Sequence, residues 1–397
     1  MCLSRWVVCC LICVVAPVAA RAALPWRAEE FARAPAVHAA PAELGRDGVE
    51  ALFFEGPPVE GKATRVFAYV GVPAVKAGER VPGMVLVHGG GGTAFPEWVR
   101  QWTARGYAAI ALDTGGHVPA ANQAKRERHA HAGPVDGGAS IAAGDRPPAD
   151  QWMYHAVANV MLAHSLLAAR PEVDAGRIGV TGISWGGVVA AAAVGTDTRF
   201  RLAVPVYGCG FLDQSEAFAP QVATEAGRQW SALWDPSRLL TRSEQPMLWV
   251  NGTNDRFFQP RMWQRTARLT MGLRTQLMIP RMAHSQTAGS EPAEIGVFAD
   301  SVLRGGAPLA RIGSFRRQGE ALTAEVTTAV PLAGVRLFFT REKGPATTLT
   351  WEEVDADWDA DRGLVRAQVP ERTQACFFSV TDVRGCRATS ELLELDR

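Results

Sequence analysis

Val180-Thr181-Gly182-Ile183-Ser184-Trp185-Gly186-Gly187-Val188 is the stretch whose reading decides how this chain folds. The apolar run Arg177-Ile178-Gly179-Val180 feeds into Gly182-x-Ser184-x-Gly186, and an alanine-rich segment of helical character follows. A serine between two glycines at that spacing predicts a strand, a tight turn and a helix, with the hydroxyl raised above the sheet. A side chain at position 182 or 186 would strike neighbouring backbone, so glycine is required at both. A nucleophilic serine there needs a base, a group that orients the base, and donors for developing negative charge.

Upstream, Gly48 to Ala74 alternates apolar positions (Val66, Ala68, Val70), which predicts a strand pair bent near Gly56-Pro57-Pro58 and Glu60-Gly61. The continuous apolar runs Gly83 to His88 and Gly106 to Asp113 predict strands buried on both faces of a parallel sheet. Pro96 to Arg105 and Asp150 to Arg170 have helical spacing. Between them, Thr114 to Ala149 breaks into Gly, Pro, His and charge, a long insertion leaving a strand end and so expected near the mouth of a site. Downstream, strands are expected at Leu202 to Tyr207, Pro246 to Asn251 and Thr275 to Ile279, with a helix at Pro260 to Met271. Strand alternating with helix implies a mostly parallel α/β sheet with helices on both faces. After about Gly305 the texture changes to short period-2 runs such as Val335 to Thr340 and Cys376 to Val380, as in a small β-sandwich. The expected organisation is a signal peptide at 1–22, a loosely ordered lead-in at 23–47, a catalytic domain at 48–305 and a β-rich domain at 306–397.

Of the 397 residues, 47% are hydrophobic and 20% charged, with a net charge of +1, ordinary globular composition that argues against a nucleic-acid partner. Arg5, the apolar run Trp6 to Val18 and the small residues Ala19, Ala20, Ala22 and Ala23 read as a secretory signal, cleaved after Ala20 or Ala22. The run is shorter than the roughly 20 residues of a membrane span, so no stable membrane insertion is expected. Cys2, Cys9, Cys10 and Cys13 lie within the expected signal segment; Cys376 and Cys386 flank a turn and are positioned to pair in an oxidising compartment, and Cys209 reads as a buried small hydrophobe. No cysteine–histidine grouping has metal spacing, and no cofactor or metal is expected.

The partners of Ser184 follow from strand ends. Asp255 lies just past the strand ending at Asn251, and His284 follows the last strand and precedes a helix, giving the chain order Ser, acid, His. Asp113 ends a strand but precedes the serine, Asp235 precedes a proline and reads as a turn or cap, and Asp300 falls after His284. His155 and His164 have helical neighbours; His117, His129 and His131 belong to the insertion. For the oxyanion, the N–H of Trp185 supplies one donor and the glycine run after His88 the other, Gly90 first and Gly91 second. That run lacks the Lys-Ser/Thr of a phosphate-binding loop.

Val87-His88-Gly89-Gly90-Gly91-Gly92, Arg105-Gly106-Tyr107-Ala108, Val173-Asp174 with Arg177 to Gly187, and Asn251 to Asp255 together resemble the α/β-hydrolase superfamily. Within it the chain resembles secreted members of the dienelactone hydrolase, acetyl xylan esterase and prolyl-oligopeptidase-like group. The resemblance implies a Ser184–His284–Asp255 triad acting through an acyl-enzyme. It departs from dienelactone hydrolases proper, whose nucleophile is cysteine, and this favours esterase or peptidase chemistry. The expected function is a secreted carboxylic ester hydrolase acting on a small-molecule or acylated carbohydrate ester. The alternatives are a prolyl-oligopeptidase-like peptidase or amidase, and a non-catalytic carbohydrate-binding protein on a hydrolase scaffold. In that last reading Trp351 and Trp358 stack on sugar rings, against their commoner fate as core residues.

Overall fold

The computed structural model describes residues 24–119 and 126–395; the signal-peptide reading, with the four cysteines it contains, lies outside the described residues. The N-terminal α/β part begins with β1 (Val37–Ala39), β2 (Glu50–Val59), β3 (Lys62–Gly71), β4 (Val81–Val87), α1 (Pro96–Ala104) and β5 (Ala108–Leu112). In the insertion come β6 (His117–Pro119) and β7 (Arg126–Arg128), then α2 (Trp152–Ala168), β8 (Val173–Ile183), α3 (Trp185–Val194) and β9 (Ala203–Val206). There follow α4 (Ala219–Val222), α5 (Glu225–Trp234), α6 (Pro236–Leu239), β10 (Met247–Gly252), α7 (Pro260–Ala267), β11 (Arg274–Ile279), α8 (Gln286–Ser290) and α9 (Ala293–Leu303).

One nine-stranded sheet runs β1-β2-β3-β5-β4-β8-β9-β10-β11. The strands from β5 to β11 in that order pair in parallel, while β1, β2 and β3 join as antiparallel neighbours. Both faces are covered, which is why β4 reads as an unbroken apolar run: Met84, Val85, Leu86 and Val87 are all fully buried. The same cause leaves α2 without Asp, Glu, Lys or Arg and α3 without any polar side chain but the Trp185 indole. Helix α3 is buried along its whole length, and a helix that is apolar all round belongs in a core. The β8–α3 junction therefore sits at the end of a central strand, with β4 on one side and β9 on the other.

Beyond α9 lie β12 (Arg311–Gln318), β13 (Ala321–Thr327), β14 (Leu332–Thr340), β15 (Glu352–Asp355), β16 (Asp357–Asp359), β17 (Leu364–Gln368), β18 (Ala375–Asp382), β19 (Arg387–Thr389) and β20 (Leu393–Glu394). They form two antiparallel sheets, β12-β13-β17-β16 and β15-β14-β18-β19, with β20 on β18. Leu322, Ala324, Leu337, Phe339, Phe378 and Val380 form a second apolar core in this sandwich. The sandwich is fastened to the α/β part. Arg387 donates to the buried Glu294 carboxylate at 2.9 Å, Arg261 pairs with Glu394 at 2.6 Å, and the Met278 N–H bonds Thr389 Oγ1 at 3.0 Å.

Three expectations need correction. The segment from residue 24 to 47 is not a loose lead-in. Trp26, Phe31 and Leu44 are buried, the Trp26 indole donates to the Tyr154 carbonyl at 2.9 Å, and β1 extends the sheet. Cys376 and Cys386 are unbonded. Asp382, not Cys376, lies opposite Cys386, and Cys376 stands at the far end of β18, about 20 Å along the strand. A disulfide needs Cα atoms within about 7 Å. The two thiols also face different cores. Finally, the insertion is not structureless: β6 and β7 pair as a hairpin, and a 3-10 helix spans Gly137–Ala143.

Candidate active site

Ser184 stands at the turn between β8 and α3 with φ 59° and ψ −119°. A non-glycine residue in that region is strained, and it is held there by its surroundings. The Ser184 N–H donates to Val206 O at 2.9 Å, and Ser184 O accepts from Gly187 N–H at 2.9 Å and Val188 N–H at 3.2 Å. The flanking glycines are required by close approach: a Cβ at Gly186 would lie 2.0 Å from Val87 O, and one at Gly182 would lie 2.0 Å from Gly186 O.

His284 Nε2 lies 2.9 Å from Ser184 Oγ, and its Nδ1 lies 2.6 Å from Asp255 Oδ2. The three expected residues are thus brought together, from loops that follow β8, β10 and β11. The Asp255 side chain is 1% exposed and the His284 ring 22%, so the contact runs from a buried carboxylate to a partly exposed imidazole. Asp255 Oδ1 accepts the Phe257 and Phe258 N–H groups at 2.8 and 2.9 Å, which fixes the carboxylate and leaves Oδ2 for the imidazole. The acid and base loops are also tied to each other. The Thr253 N–H bonds Ile279 O at 3.1 Å, and Thr253 Oγ1 accepts the Arg281 N–H at 3.1 Å.

Aromatic rings enclose the imidazole. Tyr207 stacks on it at a centroid distance of 4.3 Å, with Phe257 at 5.0 Å. Burial of the Tyr207 phenol raises its pKa, keeping it a neutral donor to the Ala283 carbonyl at 2.7 Å. Tyr207 and Phe257 were not singled out in the sequence. Tyr207 ends a buried strand at the same sheet edge as Ser184, and that position was the available signal.

The Trp185 amide occupies the first helical position, where an N–H has no acceptor inside its own helix and the helix dipole favours negative charge. The glycine loop passes beside it: a Cβ at Gly89 would lie 3.0 Å from Ser184 Cβ, and one at Gly90 would lie 2.9 Å from Trp185 Cδ1. The Gly91 N–H is directed instead to Asp136 Oδ2 at 3.4 Å, so of the two candidate loop donors Gly90 is the one left free of that acceptor.

The other candidates take structural places. Asp235 caps α6 through the Ser237 N–H and also binds the Phe211 and Leu212 N–H groups. Asp300 pairs with Arg105 at 2.6 Å and accepts from the Tyr107 hydroxyl at 2.7 Å. Asp113 and His88 face each other at 3.4 Å, both buried, and Asp113 Oδ1 receives the Gly115 and His117 N–H groups. Burial works against ionisation of the Asp113 carboxyl, but the neighbouring His88 and the His117 N–H and charge together hold it below its usual range. His155 and His164 are buried in α2, and burial lowers the pKa of both. Burial likewise lowers His117 and His129 in the insertion. In the sandwich, Trp351 packs on the edge of Phe377 and Trp358 against the second core. Among the described residues no cluster of His, Cys, Asp and Glu is placed to hold a metal ion.

Residues 30–216 match the acetyl xylan esterase (AXE1) family model. That span contains Ser184 and ends before Asp255 and His284. No curated protein sequence matches the chain significantly. Among solved structures, the fold is similar to an acetyl xylan esterase from Paenibacillus sp. R4, at 19% identity and TM-score 0.56, over 70% of this chain and 92% of that one. It is also similar to acetyl xylan esterase 1 from Thermoanaerobacterium sp. JW/SL YS485, at 18% identity and TM-score 0.50, over 66% of this chain and 89% of that one. A puromycin-hydrolyzing peptidase of Mycobacterium tuberculosis matches at 21% identity and TM-score 0.50, over 67% of this chain but only 41% of its own. The chain therefore has the α/β-hydrolase fold, with a small β-sandwich at its C-terminus and an acetyl xylan esterase family match over residues 30–216, the segment that bears Ser184.

Proposed function

We propose that this protein is a serine hydrolase that cleaves carboxylic esters through an acyl-enzyme on Ser184. The observation that carries the reading is the unbroken relay from Asp255 to His284 to Ser184, at 2.6 and 2.9 Å. His284 removes the Ser184 proton as Oγ attacks the acyl carbon. The carbonyl oxygen becomes an oxyanion, and the Gly90 and Trp185 N–H groups donate to it. As the intermediate collapses, His284 gives its proton to the departing alcohol. A water molecule then repeats the sequence, with His284 as base, and releases the acid. Asp255 stays ionised throughout, fixing the tautomer and stabilising the imidazolium.

The substrate class that fits the family match is an acetylated carbohydrate, met after export through the N-terminal signal. Among the described residues no helix is long and apolar enough to cross a membrane. The test is a comparison of p-nitrophenyl acetate, acetylated xylan and a proline-containing peptide amide on the purified protein. Turnover of the two esters supports the reading; cleavage of the amide alone replaces it with peptidase chemistry.

A further inference from the structure

We propose that Arg126 and Asp136, both in the insertion between β5 and α2, are positioning residues that hold the glycine loop in its oxyanion-binding shape. The proposal rests on the ester-hydrolase reading above. It starts from a physical problem. Gly89 to Gly92 carry no side chains; the Gly92 N–H closes a turn on Gly89 O at 3.0 Å and His88 Nδ1 holds the same carbonyl at 2.6 Å, but neither contact holds the Gly91 N–H or the Gly92 carbonyl, and glycine loses more freedom on ordering than any other residue. A preorganised N–H donor nevertheless has to point in one direction before the substrate arrives. The fixing must come from outside.

The insertion supplies it at two successive residues. Asp136 Oδ2 accepts the Gly91 N–H at 3.4 Å, and Arg126 Nη1 donates to the Gly92 carbonyl at 3.1 Å. The same Arg126 nitrogen lies 2.9 Å from Asp136 Oδ2, so the two grips form one unit. Asp136 is 7% exposed and is backed by main chain, since a Cβ at Gly115 would lie 2.9 Å from its Oδ2. The next residue completes the contact. A Cβ at Gly137 would lie 3.5 Å from Gly90 Cα and 3.6 Å from Trp185 Cδ1, so the insertion backbone rests on both residues assigned as oxyanion donors.

The charges give the proposal a distinctive signature. A bare carboxylate beside the loop would oppose the developing oxyanion, and Arg126 neutralises it. Removing Arg126 should therefore harm the reaction more than converting Asp136 to its neutral isostere, which still accepts the Gly91 N–H.

The experiment measures kcat and KM for p-nitrophenyl acetate in R126A, R126K, D136A and D136N, beside wild type and Ser184→Ala. Hydrogen–deuterium exchange of the peptide covering Gly89 to Gly92 is followed in each. In R126A and D136A, kcat should fall about 10- to 100-fold, less than the roughly 10²- to 10³-fold of a donor lost outright because the Gly90 N–H is still present, with KM within about threefold and loop exchange faster. D136N should recover to within about fivefold of wild type, and R126K, which keeps a charge but not the fork, should fall between. Unchanged kcat together with unchanged exchange in folded R126A and D136A overturns the proposal. So does a D136N variant as impaired as D136A. If the alanine variants do not fold, the conservative pair decides by the same ordering. If wild type turns over no ester, the reading of Ser184 fails, and loop exchange alone still decides whether the insertion grips the loop.

Discussion

The Tyr207 ring lies against His284, centroids 4.3 Å apart and planes 29° from parallel, while its hydroxyl donates to the Ala283 carbonyl at 2.7 Å. One side chain thus supports both the ring of the proposed base and the backbone just before it. Tyr207 does this from φ 62°, a conformation that bulky residues rarely adopt. Such strain persists only where the surroundings enforce it, here at the end of β9 beside the elbow. Tyr207→Phe keeps the stacking and loses the hydrogen bond, so kcat should drop only a few-fold, about the effect of one neutral hydrogen bond. Tyr207→Ala frees the imidazole on that face and should cost at least tenfold more. Steady-state kinetics on a p-nitrophenyl ester, with a thermal melt to check folding, measures both. Equal kinetics in all three proteins would remove Tyr207 from the account.

Asp255→Asn is the next test. The amide keeps the Phe257 and Phe258 contacts, and its NH2 then faces His284 Nδ1, favouring the tautomer with its proton on Nε2. That tautomer cannot accept the Ser184 proton. By the behaviour of triads generally, kcat should fall by roughly 10⁴ with the fold intact. Loss of less than tenfold would show that Asp255 does not orient the base.

The outline of the site was legible because each of its parts sits at a strand end, and buried strands announce themselves as apolar runs. Val180 into Gly182-x-Ser184, Met247 to Asn251 before Asp255, and Thr275 to Ile279 before His284 fixed three loops on one sheet edge. What could not be read was cross-chain pairing. Nothing near Arg126 or Asp136 points to Gly92 or Gly91, because the approach depends on how the insertion folds back over β4. Trp26 was hidden for the same reason: its partner, Tyr154, lies on a helix far along the chain. The disulfide expectation failed on register. A turn between two cysteines suggests facing thiols, but β18 runs well past Cys376 before it turns, and that length is set by pairing with β14.

The pH dependence of stability has a specific source in α2. Burial, with the Arg199 charge second, pushes the His164 pKa down to about 4. Unfolded, the same imidazole takes up its proton near pH 6.5. The folded state therefore binds fewer protons between those values, and stability is intact above about pH 6.5 and declines as pH falls towards 4. Replacing His164 by leucine should flatten that part of the profile relative to wild type, whatever its effect at neutral pH. Melting temperatures of both proteins between pH 7 and pH 4 test this; parallel curves would contradict it.

The central claim is that Ser184 carries the acyl group, and the most direct measurement is p-nitrophenyl acetate turnover by wild type and Ser184→Ala, with a fluorophosphonate as active-site label. The account predicts turnover and a single labelled serine at position 184 in wild type, and in the variant no label and a kcat lower by about 10⁶, as when a triad nucleophile is removed. Undiminished turnover in Ser184→Ala, or label on another residue, would contradict it.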